Sequence, residues 1–219
     1  NLAIIVTSDH GENLGELGIY GEHGTADEPT CHIPMIIKWP GAKKDYVAYG
    51  FHDNVDLLPT IKELLHTEGV FGTEYEYDGK SYAKTLLEGT DCSKDAVVLT
   101  QCCHVCQRSA RFDDYVYIRT VHGGYHLFEK EMAIGAYGLR LIQDDPHELH
   151  NLADEHPELC AKGAKIIADW VDEMMKKSKY PIDPMWTVMK EGGPEHARGQ
   201  LEAYIKRLSG TKREYGIPL

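Results

Sequence analysis

Asp9 and His10 stand side by side after an apolar, β-branched run over residues 2–7, and Gly11 and Glu12 follow them. An ionised carboxylate gives a hard oxygen donor and a neutral imidazole gives a nitrogen lone pair, so together they can hold a divalent cation against an oxyanion. Their place in the chain suits that task, because open α/β sheets collect ligands at the carboxyl ends of their strands. Gly11 lets the backbone turn there without a Cβ clash. Two donors do not make a metal site by themselves, and the same dipeptide reads equally as an aspartate capping a turn beside an ordinary loop histidine.

A second cluster, Cys102-Cys103-His104-Val105-Cys106, has the CxxC spacing of zinc and redox motifs, and His122-Gly123-Gly124-Tyr125-His126 could in principle supply two more ligands. Such an HxxxH pair needs a helix to face one metal, whereas Gly123-Gly124 between two β-like runs reads as a hairpin turn. The favoured reading is a strand that leads into a turn lined with small buried thiols. Asp144-Asp145-Pro146-His147-Glu148 is acidic enough to suggest a metal, but Asp-Pro is a strong turn pair and a capped helical start follows.

The elements that must position these groups can be read from hydrophobic periodicity. The run 2–7 has the pattern of a strand buried on both faces in a parallel or mixed sheet, and the run 33–39 has the same character. Between them lies a loop with glycines at 15, 18, 21 and 24, and a loop of that length between core strands is usually functional. Residues 56–66 form an amphipathic helix with Leu57, Ile61, Leu64 and Leu65 on one face and Pro59 in its first turn. Composition shifts after Thr67, which sets a domain boundary. Short strands at 96–101, 110–121, 125–130 and 138–143 follow, with turn signals at Asp113-Asp114 and Gly123-Gly124, as in an antiparallel meander. A helix over residues 157–177 carries one apolar stripe that includes Ile167, Trp170 and Met174, with lysines in its last turn, and a shorter helix spans 194–208.

At 219 residues, 42% hydrophobic and 26% charged, the chain fits one large globular domain or two smaller ones. Thirty-five acidic residues against 23 basic ones give a formal charge of -12, which argues against nucleic acid or an anionic membrane surface as the main partner. No apolar run approaches the roughly 18 residues that a spanning helix needs. Six scattered or crowded cysteines look like reduced thiols rather than a disulfide framework, which favours a cytoplasmic location. The chain opens on Asn1 in what reads as the middle of a strand, so a preceding N-terminal portion is expected.

Five stretches in order carry a resemblance to the sulfatase family of the alkaline phosphatase superfamily: Thr7-Ser8-Asp9-His10-Gly11-Glu12-Asn13-Leu14-Gly15-Glu16, Ile33-Pro34-Met35-Ile36-Ile37-Lys38-Trp39-Pro40-Gly41, Asp56-Leu57-Leu58-Pro59-Thr60-Ile61, Gly79-Lys80-Ser81-Tyr82, and Asp144 through Ala153. The resemblance is to the C-terminal half of such enzymes. It implies an α/β fold: residues 1–67 as the C-terminal part of the alkaline phosphatase-like catalytic sandwich, and 68–219 as a small α+β subdomain whose antiparallel sheet packs on the long helix. It also implies hydrolysis of small-molecule or carbohydrate sulfate esters. The nucleophile in the family is a formylglycine hydrate beside one divalent metal, usually calcium, with manganese or zinc as alternatives.

By the same resemblance, Asp9 and His10 match the family's later metal pair. The family's sulfate-contacting Lys falls where this chain reads Tyr20-Gly21-Glu22-His23-Gly24, which makes His23 the candidate catalytic group, with Glu22 one residue away as the alternative. An imidazolium there could contact the sulfate or protonate the leaving group. Gln101, His104 and Arg108 fall in a segment that in the family reaches toward substrate. The family's Cys-x-Pro-Ser-Arg nucleophile motif and its paired early aspartates do not occur among the 219 residues. They are expected in an N-terminal half of the same protein, and this chain alone should be inactive. Two rival readings stay open: a phosphonate or phosphate ester hydrolase of the same superfamily, and a non-catalytic binding module.

Overall fold

A computed structural model describes residues 2–67, 77–103, 105–122, 137–141, 150–191 and 193–194. In chain order the elements are β1 (Ile4–Thr7), β2 (Asn13–Leu14), β3 (Tyr20–Glu22), α1 (Glu28–Cys31), β4 (Met35–Lys38), α2 (Leu57–Leu64), α3 (Ala83–Glu88), β5 (Ala96–Gln101), β6 (Cys106–Phe112), β7 (Tyr115–His122), β8 (Tyr137–Leu141), α4 (Pro157–Lys177) and α5 (Pro184–Lys190). This mixture of helices and sheets is the expected α/β class. The chain divides into two compact units, residues 1–9 with 33–97 and residues 10–32 with 98–219.

In the first unit β1 and β4 pair antiparallel, with Ile4 opposite Lys38 and Thr7 opposite Met35. This corrects the sequence reading of residues 2–7, which expects a parallel or mixed sheet covered on both faces. Val6 and Ile36 are instead 52% and 65% exposed. An apolar run says that a strand favours cover, but not which segment supplies it. The helix expected over 56–66 is α2, and its buried side chains differ from the leucine stripe: Thr60 and Lys62 are buried while Leu65 is exposed. Polar bonds make that possible. Thr60 Oγ1 donates to Asp56 O at 2.6 Å and accepts from Tyr82 N at 3.0 Å, and Lys62 Nζ donates to the Tyr77 hydroxyl at 2.7 Å. Asp56 is buried at the entry of α2, where it accepts from Asp53 N, Lys80 N and Lys94 Nζ.

In the second unit β5, β6, β7 and β8 form one sheet in that order, and β6–β7 and β7–β8 are antiparallel. The strand expected over 110–121 is split at Asp113, whose φ of 46° makes the turn between β6 and β7. Helix α4 has the expected bounds and lies on β6, β7 and β8. Ile167 is buried, and Gly163 lets the helix approach Tyr117 so closely that an added Cβ would fall 2.5 Å from the Tyr117 Cβ. Helix α5 has no counterpart in the sequence reading. Asp183 caps it by accepting from Met185 N at 3.0 Å, and Pro184 opens it. The expected strand 125–130, the expected helix 194–208, His104, His126 and most of the stretch 144–153 lie outside the described residues.

Candidate active site

The β1–β4 ladder ends with Thr7 opposite Met35, so Ser8 and Asp9 leave the sheet and Asp9 faces solvent. The loop that begins at His10 is closed at its base by a bond from Gly11 N to Thr30 O at 2.8 Å. A Cβ on Gly11 would lie 1.9 Å from the Pro29 carbonyl oxygen. Glycine is needed there for close approach of two backbone segments, which refines the sequence reading of a bare turn residue.

A buried polar cluster fixes the loop from inside. The Asn13 side-chain amide, fully buried, donates to Thr25 Oγ1 at 2.9 Å, Asp27 Oδ2 at 3.1 Å and Thr30 Oγ1 at 2.9 Å. Asp27 also accepts from Thr25 Oγ1 and, as the N-cap of α1, from Thr30 N. The loop is anchored to the sheet by Gln107 of β6, whose Oε1 accepts from Ala26 N at 2.9 Å and whose amide donates to Thr120 Oγ1. At the foot of α1, Glu28 lies between His32 and Arg111. Burial pushes the Glu28 carboxyl up, but the His32 hydrogen bond and the Arg111 charge outweigh it and hold the group below its ordinary value. The same Glu28 bond raises His32.

On this frame His10, Glu12 and His23 come together. The two imidazoles stack with centroids 3.8 Å apart and planes 16° from parallel. His10 Nδ1 lies 2.8 Å from Gly11 O, and since a carbonyl can only accept, that nitrogen carries a proton, which in the neutral ring makes Nε2 the lone-pair nitrogen. His23 Nδ1 lies 3.1 Å from Glu12 Oε2, and Gln101 holds the His23 carbonyl through its side-chain amide at 3.2 Å. The structure thus brings His23 to His10, and it adds Glu12, Asn13, Gln101 and Gln107, which the sequence reading leaves without a positioning role. One signal for them is Asp27-Glu28-Pro29, an N-cap followed by an acidic residue and a proline in the first turn of a helix.

Arg108, by contrast, is committed elsewhere. Its guanidinium forms a bidentate pair with Asp183 and lies 5.6 Å from the Trp170 ring centroid. Cys106 is fully buried, and burial, with Cys102 beside it, pushes its thiol up to about 12. In the first unit a cavity of about 410 Å³ is lined by Met35, Ile37, Val47, His52, Asp53 and Tyr82 among others, and burial lowers His52.

The Asp9–His10 donor set fits part of a hard-cation site. One carboxylate and one imidazole with its lone pair on Nε2 supply two ligands, where calcium takes six to eight.

Residues 1–67 match the family model described as Sulfatase. The multifunctional alkaline phosphatase superfamily protein PehA of Trinickia caryophylli is 39% identical over 88 residues, which cover 39% of this chain and 16% of that protein. N-acetylglucosamine-6-sulfatase of Bos taurus is 24% identical over 191 residues, which cover 74% of this chain and 33% of that protein. A candidate sulfatase solved from Bacteroides thetaiotaomicron superposes with a TM-score of 0.64 at 22% identity, over 83% of this chain and 39% of that one. The chain therefore spans no more than about two fifths of any of these three proteins. Residues 1–67 are thus similar to the Sulfatase family, and the chain shares its fold with the C-terminal part of a solved sulfatase.

Proposed function

We propose that this chain supplies the later metal pair and part of the substrate pocket of a hydrolase for carbohydrate sulfate esters. The observation that carries the reading is the stack of His23 on His10 one residue beyond Asp9, on a loop fixed by Gly11–Thr30 and by Asn13. Asp9 and His10 would hold a divalent cation, calcium in the family's usual case, which when bound offsets charge on the sulfuryl oxygens and favours an ionised nucleophile. His23 is assigned to the leaving oxygen. Glu12 orients its ring through Nδ1, which directs Nε2 outward as the proton donor. The formylglycine nucleophile belongs to a part of the protein outside these 219 residues. N-acetylglucosamine-6-sulfatase among the relatives supports a sulfated amino sugar as substrate. The six cysteines without disulfides support a reducing compartment; among the described residues no helix is long and apolar enough to cross a membrane.

The test is sulfate release from glucosamine 6-sulfate and a chromogenic aryl sulfate by the full-length protein with calcium, beside the 219-residue chain alone. The longer protein should turn over and the shorter should not, because losing a positioned nucleophile costs about 10⁶ in rate where residues act as a unit. Faster hydrolysis of an aryl phosphate or phosphonate by the full-length protein would move the assignment to the phosphate branch of the superfamily.

A further inference from the structure

His10, Glu12 and His23 each offer one ligand atom, and the three atoms lie within 4.8 Å of one another. Two imidazoles and a carboxylate are the donor set of borderline cations such as zinc, cobalt(II) and nickel, whereas calcium favours a larger set made mostly of oxygen donors. The set differs from the Asp9–His10 pair in chemistry as well as membership, since it draws in the far strand of the loop.

One edge of the set, Glu12 with His23, is near what a tetrahedral ion needs. Donors about 2.0–2.1 Å from a tetrahedral zinc lie roughly 3.3 Å from each other. His23 Nδ1 and Glu12 Oε2 are 3.1 Å apart, so an ion replacing the proton between them moves each donor by only a few tenths of an ångström. His10 comes with its second shell in place: the Nδ1–H is committed to Gly11 O at 2.8 Å, the arrangement that leaves Nε2 as the ligating atom and fixes the ring. The rings stand face to face 3.8 Å apart, so one imidazole turns about its Cβ–Cγ bond to bring both lone pairs onto one ion. Holding these side chains on a loop ordinarily costs ordering entropy. Here Gly11–Thr30, the buried Asn13 amide and Gln101 on the His23 carbonyl have fixed the backbone of both ligand strands before any ion arrives. Glu12 and His23 are 39% and 45% exposed, which leaves an approach for a hydrated cation and a position for water.

We propose that His10, Glu12 and His23 form a binding site for a borderline divalent cation of the zinc class, completed by water. Binding places the cation on His10 Nε2, His23 Nδ1 and Glu12 Oε2, with the His23 ring proton moved from Nδ1 to Nε2 so that the ring binds as a neutral ligand. The site stands independently of the sulfatase reading. If that reading holds as well, an ion bound here withdraws His10 and His23 from ester hydrolysis.

The experiment titrates the metal-stripped protein with cobalt(II), then displaces it with zinc, and repeats the titration with calcium. One equivalent of cobalt should give visible ligand-field bands of a tetrahedral nitrogen and oxygen site without the near-ultraviolet band of a thiolate ligand, and zinc should abolish them. His23→Ala and Glu12→Gln should each weaken zinc at least about tenfold. Cys102→Ser and His32→Ala should leave it unchanged. Because the two substituted ligands face solvent, far-ultraviolet circular dichroism of each variant should match the parent. The proposal is overturned if no zinc binds, if both ligand variants bind as the parent does, or if a thiolate band appears and is lost in Cys102→Ser. No arm measures sulfate release, so a failed sulfatase assignment and a failed metal site are told apart.

Discussion

The imidazole of His10 lies face to face with that of His23, 3.8 Å away, although the two residues enter the loop from opposite ends. Stacking and proton donation are separable roles for His23, and one substitution distinguishes them. In the full-length protein His23→Phe keeps a flat ring against His10 but has no proton to give, so kcat for an aryl sulfate should fall by about 10²–10⁴ while thermal stability is kept. His23→Ala should lose both. Retention of parental kcat by the phenylalanine variant would remove His23 from the chemistry.

The two N–H groups of the buried Asn13 amide are shared among Thr25, Asp27 and Thr30, so its removal takes a donor from the cluster and leaves it held by the Thr25–Asp27 and Thr30–Asp27 bonds. Asn13→Ala should destabilise by about 1–3 kcal/mol, read as a shift in the urea midpoint. Asn13→Asp should be worse at neutral pH, because it sets a second carboxylate against Asp27. A buried carboxyl pair favours holding a proton, so the gap between the two variants should narrow as pH falls. Equal midpoints for the two at pH 7 would show that water reaches this cluster.

Gly163 tests the contact between α4 and the sheet. Alanine gains about 1 kcal/mol of intrinsic helix preference over glycine in a helix interior. The added Cβ, however, falls 2.5 Å from the Tyr117 Cβ, an atom too near the backbone to swing aside. Overpacking of this kind costs about 1–3 kcal/mol, so Gly163→Ala should be net destabilising, with a lowered Tm. A rise in Tm would mean that α4 can lift from β7 without loss.

The Arg108–Asp183 pair gives stability an acid limb. The Arg108 hydrogen bond, against the effect of burial and with help from Met185 N, holds the Asp183 carboxyl below its ordinary value of 3.8. A depressed folded value means that the contribution is complete above 3.8 and disappears as pH falls through the folded value. Asp183→Asn should therefore unfold at lower urea than the parent at pH 7, and the two should converge as pH falls through the folded value. A constant gap across that range would assign the loss to the α5 cap rather than to charge.

Local and periodic features were the legible part of this chain. The bounds of α4 follow from Pro157, the stripe through Ile167 and the lysines at 176 and 177, because a long helix averages over many residues. Helix α5, seven residues long, offers too few turns for a periodic signal and is visible only through its Asp183-Pro184 start. Asp9 and His10 could be placed because a strand end is a local event. The approach of His23 and Glu12 to His10 could not, since it depends on Asn13 reaching Thr25, Asp27 and Thr30 across a loop with no apolar period. Likewise the exposure of Val6 and Ile36 depends on which segments cover them, and hydrophobicity alone does not name a neighbour.

Both ends of the loop are tied below its tip, by Gly11–Thr30, by Asn13 with Thr25 and by Gly15 N on Ile19 O, and the tip between residues 16 and 18 lies beyond those ties. Length change is therefore inexpensive there, since even doubling a flexible loop adds only about 0.6 kcal/mol of closure entropy. Insertions at the tip can diversify the rim of the site over evolutionary time while its donors stay in register. The same insertion between residues 10 and 13 would separate His10 from Glu12. The loop thus divides into a segment free to vary and a base that is not, and a linker scan across residues 10–30 would map the border.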